Sequence, residues 1–521
     1  MKTFNRKMLC AVLAGFGVLS MAGTAQAVSL NPDGRGQVLI YPYYTVRANA
    51  DGNAYDSLFT VINAKNTGKA VRVRFREGKA GHEVLGFNLY LAPRDVWTAA
   101  ITANADGTQI LTHDISCTSP DVRASSPVSF GNTRFSGANT DGEEASLDRT
   151  REGYIEIIEM AEVTGNTLTA ITHAVFDGVW RPRNCGAIQE GNSYSTNTQP
   201  SFAGDLRTPT GGLFGNMTLI NVNTARAVGY DAVALSGFYK GGDAWGPFGG
   251  ARVLDTLWFP FGSENPNLSM AFPATSTVLD DATGVVESAW TDAGSVWDGA
   301  DWVNETDAIG ARRSVFEPGL DAVSSVLMRS SIINEFNFAE VYAGATNWVI
   351  TMPTKSLYFD RGGKSLKPRK LFQREFQAGG APDDVSGHHY DREGRRPAPN
   401  DDFCVPAPRP RNTLGWEVNV IGFSAAQAER KVFHSANSYS WRTSGCEEGW
   451  AHINIEPVYS PQYGDHTLTA DVPAGRKFTG VPVVGFAATL FNNGGVDGGA
   501  LGKVWASYVG TVPHRYERNI Q

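Results

Sequence analysis

The residue types best able to do chemistry crowd into one stretch. Asp383, Asp384, His388, His389, Tyr390 and Asp391 lie close together, with Asp401 and Asp402 a little beyond. Imidazole and carboxylate together form a donor set for zinc, iron or copper. Neighbouring residues of an extended chain point to opposite sides, so His388 and His389 can share an ion only where the backbone turns. No HExxH and no ligand pair at helical spacing accompanies them. Asp51, Asn53 and Asp56 form a second oxygen set, and Asn104, Asp106 and Thr108 a third. Both suit the weak calcium modules of exported proteins, but neither completes an EF-hand loop with its distal glutamate. No cofactor is expected, with calcium the one possible exception, and tight turns or a solvated loop are the plainer readings.

Catalytic patterns are thinner. Glu143 and Glu144, then Glu152, Glu156 and Glu159, could supply the paired carboxylates of sugar hydrolysis. That chemistry needs two carboxyls roughly 5–9.5 Å apart across a cleft, and a chain with 53 acidic residues offers many such pairs in sequence. There is no GxSxG elbow. The aromatic residues are more suggestive. Trp245, beside Pro247 and Phe248, and the trio Trp290, Trp297 and Trp302 fall outside regular strand patterns. Such rings stack on sugars or anchor protein partners when exposed, and otherwise fill the gap between a sheet and a helix.

The elements that would position these groups begin after an N-terminal export signature. Lys2, Arg6 and Lys7 precede an apolar stretch from Leu9 to Ala22, and Ala25-Gln26-Ala27 is a small-x-small cleavage site. Residues 1–27 therefore read as a signal peptide, and the stretch is too short for a membrane span, which needs about 20 residues. Its removal takes the net charge from −8 to −11. That acidic balance argues against a nucleic-acid partner. The basic runs Arg392–Arg396 and Pro408–Arg411 read as solvated loops. Cys117, Cys185, Cys404 and Cys446 remain after processing. An even count in an exported chain predicts disulfides, and spacing favours Cys117 with Cys185 and Cys404 with Cys446. Zinc would want a close cysteine pair, and none is present.

From Gln37 the hydrophobic period is two. Val71, Val73 and Phe75 alternate with Arg72, Arg74 and Arg76, which predicts a half-buried antiparallel strand with its arginines in water. Gln37–Tyr44 is an opening strand in which Pro42 suits an edge or a bulge. Strands follow at Glu83–Leu91 and Tyr154–Met160, and later at Trp348–Met352, Trp416–Phe423, His452–Pro457 and Val483–Leu490. The phrase Thr60–Val71 is echoed at Thr218–Val228 and more weakly at Ala488–Gly494, which suggests a duplicated unit. The expected organisation is all-β: tandem antiparallel β-sandwich domains, immunoglobulin-like or jelly-roll, at 28–200 and 210–521. A boundary is expected in Gly191–Thr210, one helical insertion near 320–336 capped by Asp321, and a long loop at 364–410.

The segment Asn31-Pro32-Asp33-Gly34-Arg35-Gly36-Gln37-Val38-Leu39-Ile40-Tyr41-Pro42-Tyr43-Tyr44-Thr45 resembles the opening of a family of exported proteobacterial proteins. Phe87–Trp97, Asn334–Phe336, Asn347–Lys355 and Trp416–Ile421 fit the same pattern, so the resemblance spans most of the chain. It implies export and a surface or periplasmic location, and it carries no catalytic residues with it. The function expected from these readings is a non-enzymatic structural or adhesive role. Its partner would be a second copy, a cell-surface protein or a glycan; the alternative is a carbohydrate-binding or carbohydrate-cleaving protein.

Overall fold

Alternation along the first half builds two antiparallel sheets packed face to face. The computed structural model describes residues 27–122, 126–188, 200–241, 256–290, 296–297, 302–303, 318–359, 371–372, 380, 382–396, 412–424, 431–443, 446–455, 465–497, 499 and 502–521. The first sheet runs Ser29–Leu30, Val233–Ser236, Val38–Thr45, Glu152–Val163, Gly68–Glu77, Glu83–Leu91, Cys117–Ser119. The second runs Arg226–Asp231, Asn216–Asn221, Asp56–Asn63, Val96–Ala103, Thr108–Leu111, Val128–Ser129. Val71, Val73, Phe75, Phe87 and Leu89 point from the first sheet onto Phe59, Val61, Trp97, Met217 and Leu219 of the second. Phe59 centres the layer, with edge-on contacts to Phe75 at 5.6 Å and Trp97 at 5.4 Å. Such geometry adds to the burial of the rings themselves.

The second half adds two five-stranded sheets. The third sheet runs Asn412–Leu414, Asp383–Asp391, Glu448–Asn454, Ser331–Asn337, Arg515–Glu517. The fourth runs Ser438–Arg442, Val418–Ser424, Ala345–Thr351, Val484–Asp497, Lys503–Pro513, with its first pair parallel. Phe336, Trp348 and Phe423 fill the space between them, Phe336 lying flat on Phe423 at 5.0 Å. Val349, Val420 and Phe486, on the opposite face of the fourth sheet, join the core of the first sandwich. Tyr230 stacks on Phe486 at 4.5 Å, and Tyr43 meets Phe433 edge-on at 5.2 Å. The architecture is thus all-β and multi-sheet, as expected. No helix among the described residues is long and apolar enough to cross a membrane.

Several local expectations give way to packing. The strands Leu206–Arg207, Leu213–Phe214, Asn216–Asn221, Arg226–Asp231 and Val233–Ser236 all join the first two sheets, so the first sandwich extends past the expected boundary. The echoed segments are neighbours in one sheet, with Met217 opposite Phe59 and Thr218 opposite Leu58. Shared turn chemistry explains the echo without a duplicated unit. The helix occupies Pro318–Leu327 only, and Ser331–Asn337 is a strand. Leu320, Val323, Val326 and Leu327 are buried, but so are Ser324 and Ser325, so the helix is enclosed all round. Gly319 passes so close to the Ala271 and Ser269 carbonyls that any side chain would collide. Within the expected 364–410 loop, Asp383–Asp391 is a strand beside Glu448–Asn454. Its polar alternation conceals it, because its outward face is His388 and Tyr390. Pro42 lies in an interior strand where the pairing register with Glu152–Val163 shifts, which is the bulge it suits.

Candidate functional site

The arginines of Gly68–Glu77 are not in water. Every residue of that strand is buried, because the second half of the chain lies across the outer face of the first sheet. Burying guanidinium groups requires carboxylate partners, and the strands on either side provide them. Arg74 Nε donates to Glu83 at 2.6 Å and Nη1 to Glu156 at 3.2 Å. Arg72 Nη2 donates to the Ser263 carbonyl at 2.7 Å, and Arg76 Nη2 to Ser356 Oγ at 2.9 Å. Lys69 pairs with Glu159 at 2.7 Å, both fully buried. Burial pushes the Glu83 carboxyl up, but Arg72 and Arg74 outweigh it and hold it at about 2. At one end Arg149 bridges Glu77 at 2.9 Å and Asp141 at 2.8 Å, with His82 3.1 Å from Asp141. At the same end, Arg47 pairs with Glu152 at 2.7 Å.

Four of the five acids considered for hydrolysis are held in ion pairs. Glu152, Glu156 and Glu159 are ion-paired beneath the second half, and Glu143 pairs with Lys79 at 2.8 Å. A cleft opens at the rim, lined by Arg74, Arg76, Glu83, Arg134, Glu264 and Asn267 among others. Its charges are already spoken for: Arg134 pairs with Glu264 at 2.8 Å and Arg74 with Glu83. Glu417 seals the layer from the far side, accepting from Tyr154 Oη at 2.5 Å and from the Ser356 amide at 2.6 Å.

The other sequence candidates separate. Asn49, not Asp51, organises the first oxygen set: its Oδ1 accepts from the Asp51 and Asn53 amides, while half-buried Asp56 lies on the next strand. Asn104 likewise closes a turn through the Asp106 and Gly107 amides. His388 and His389 face opposite sides of their strand. His388 stacks on His452 with centroids 6.5 Å apart, whereas His389 turns inward against Phe336, and burial lowers its pKa. Asp391 accepts from the Arg395 amide and Nε in an exposed turn. No group of three His, Cys, Asp or Glu side chains suited to a metal occurs among the described residues. Trp290 is buried against Phe478 at 5.8 Å, its indole donating to Ser276 Oγ at 3.3 Å. Trp297 and Trp302 pair through their backbones in a short ladder. Trp245, Cys404, Asp401, Asp402 and residues 1–26 lie outside the described residues. Cys117 and Cys185 form a disulfide; Cys446 is also disulfide-bonded, and the cysteines that remain for it, Cys10 and Cys404, are both outside the described residues.

Two surfaces are better candidates, and only the second contains residues singled out above, His388 and Tyr390. The first is the hairpin His173–Phe176 and Val179–Pro182, which pairs with no third strand among the described residues. Val175 is 55% exposed, Val179 58% and Trp180 64%. Val175 and Trp180 sit opposite each other, and Arg181 covers the Phe176 ring at 5.0 Å. Its base is anchored. The Asn184 amide bonds to Ala170 at the end of the helix Gly165–Ile171, and the disulfide at Cys185 ties it to the first sheet. Asp177-Gly178 between alternating apolar residues was the available signal. The second is the outward face of the third sheet, where Tyr390 stacks on Trp450 at 4.3 Å beside the His388–His452 pair. No protein-family model, curated protein or solved structure matches this chain.

Proposed function

We propose that this is an exported, non-enzymatic structural or adhesive protein of the cell surface or periplasm, which associates with a second copy of itself through the hairpin 173–182. The observation that carries the reading is the exposure of Val175, Val179 and Trp180 on a two-stranded sheet. An isolated hairpin is marginal in water, and exposed apolar clusters on a folded surface mark interaction sites. Strands without neighbours offer backbone groups to the same strands of another copy, which gives a self-complementary contact. The disulfide at its base and the N-terminal export signature support a location outside the cytoplasm. The acids of the first sheet support a structural role, since each is held by a cation. Sedimentation velocity over a concentration series tests the reading. The wild-type protein should associate, and Val175→Ser with Trp180→Ser should sediment as a monomer with an unchanged melting temperature. A wild type that remains monomeric at every concentration would refute it.

A specific observation favours carbohydrate binding as a second reading. The Tyr390–Trp450 stack lies on an open sheet face with Trp450 38% exposed, next to imidazole donors. Binding to a glycan panel that is lost in Trp450→Ala, without reducing-end release, would select it.

A further inference from the structure

Lys355, Asp383 and His466 meet in the interior, and the side chain of each is 0% exposed. They come from three separate segments. Lys355 begins the turn Lys355–Tyr358, Asp383 opens the strand Asp383–Asp391, and His466 precedes the strand Thr467–Thr469. Lys355 Nζ is 2.7 Å from Asp383 Oδ2 and donates to the Leu414 carbonyl at 3.1 Å. His466 Nε2 lies 2.9 Å from Asp383 Oδ1. A carboxylate oxygen only accepts, so that nitrogen carries the proton. The His466 backbone sits at φ 53°, in the left-handed region, and is pinned there by bonds to Leu371 and Gly480. A non-glycine residue held in that conformation costs stability, and the surrounding structure holds it with its ring on Asp383.

Two full charges in so dry a place lose their hydration, and their mutual attraction offsets that loss only in part. A neutral covalent link would remove both. We propose that Lys355 and Asp383 condense to an intramolecular isopeptide bond. The reaction consumes nothing but the two side chains. A proton passes from the ammonium to the carboxylate along their contact, leaving an amine and a carboxylic acid. The Nζ lone pair attacks Asp383 Cγ, and the carbonyl electron pair moves to Oδ1, where the His466 Nε2–H stabilises the developing oxyanion. The carbonyl re-forms as the Cγ–Oδ2 bond breaks, and Oδ2 departs as water with its own proton and one from nitrogen. An ammonium and a carboxylate thereby become one amide and one water.

The surroundings assist formation of the amine and oppose formation of the neutral acid. Burial pushes the Lys355 pKa down, against the raising effect of Asp383, which eases formation of the amine. Burial raises the Asp383 carboxyl, but Lys355 and His466 outweigh it and hold it at about 2, so the neutral form arises by transfer within the pair. Water released in an apolar interior escapes to solvent, and hydrolysis would need it back. The link would fix the strand that carries Tyr390 to the turn after Ala345–Thr351, bracing one of the two candidate binding surfaces.

Intact mass spectrometry of the folded full chain, denatured and reduced just before measurement, tests the proposal. The mass should fall short of the linear sequence by one water, and a tryptic map should contain a branched peptide joining Lys355 to Asp383. A mass equal to the linear chain, with cleavage after Lys355, would overturn it. Lys355→Arg keeps a cation but cannot form the amide, and should restore the linear mass. Persistence of the lighter mass in that variant would equally overturn the assignment.

Discussion

Replacing Lys69 by methionine probes the buried charged layer directly. The substitution keeps the apolar stem and deletes the ammonium that stands 2.7 Å from Glu159. Among the described residues Glu159 would retain the Thr210 amide at 3.0 Å and the Gly211 amide at 2.6 Å. Removing one partner of a buried pair costs about 3–5 kcal/mol, and the two amides place this case near the lower end. Burial already raises the Glu159 pKa, with Lys69 opposing it, so the variant's should rise further. A carboxyl whose folded pKa exceeds its unfolded value stabilises most when protonated in both states. Stability is therefore lost as pH rises from the unfolded value, near 4.5, towards the folded one. Urea unfolding of Lys69→Met should show a small deficit at the acid end of that window and the full deficit at neutral pH. Adding Glu159→Gln should recover part of the loss, because a neutral amide leaves no unpaired charge although its NH2 faces one of the two backbone amides. A single variant within about 1 kcal/mol of wild type at neutral pH, with no pH dependence, would mean that Glu159 is hydrated and the layer open.

Removing the Cys117–Cys185 bond, whose sequence separation is 68, should lower stability by about 4.4 kcal/mol on loop entropy, read from denaturant midpoints of Cys117→Ala with Cys185→Ala. Trp290→Ala should cost about 3–5 kcal/mol, and the Trp290 indole should resist soluble quenchers in the native state. Glu83, held at about 2 against an ordinary value of 4.5, should contribute roughly 3 kcal/mol that is present above pH 4.5 and lost as pH falls towards 2. Acid titration of the wild type against Glu83→Gln reads that difference.

The class of fold was legible because strand alternation is local. Val71, Val73 and Phe75 announced their sheet, and the Cys117–Cys185 pairing followed from spacing. The fate of Arg72, Arg74 and Arg76 was not legible. Polar alternation says which residues share a face, while only tertiary contact says whether that face meets water or another layer. The same limit hid Asp383–Asp391, whose outward His388 and Tyr390 imitate a loop, and shortened the helix, where Ile332 fits a helical spacing but lies on a strand. Trp180 was overlooked because its hairpin is short, although Asp177-Gly178 marked the turn. The contact between Tyr390 and Trp450 joins strands 60 positions apart and has no local signature.

The most direct test of the account is hydrogen exchange of the wild-type protein at low and high concentration. If a second copy docks on the exposed hairpin, amides in 173–182 should exchange more slowly at high concentration, while those in Gly68–Glu77 stay equally protected in both samples. Exchange in 173–182 that is indifferent to concentration, or slowing confined to another surface, would contradict it.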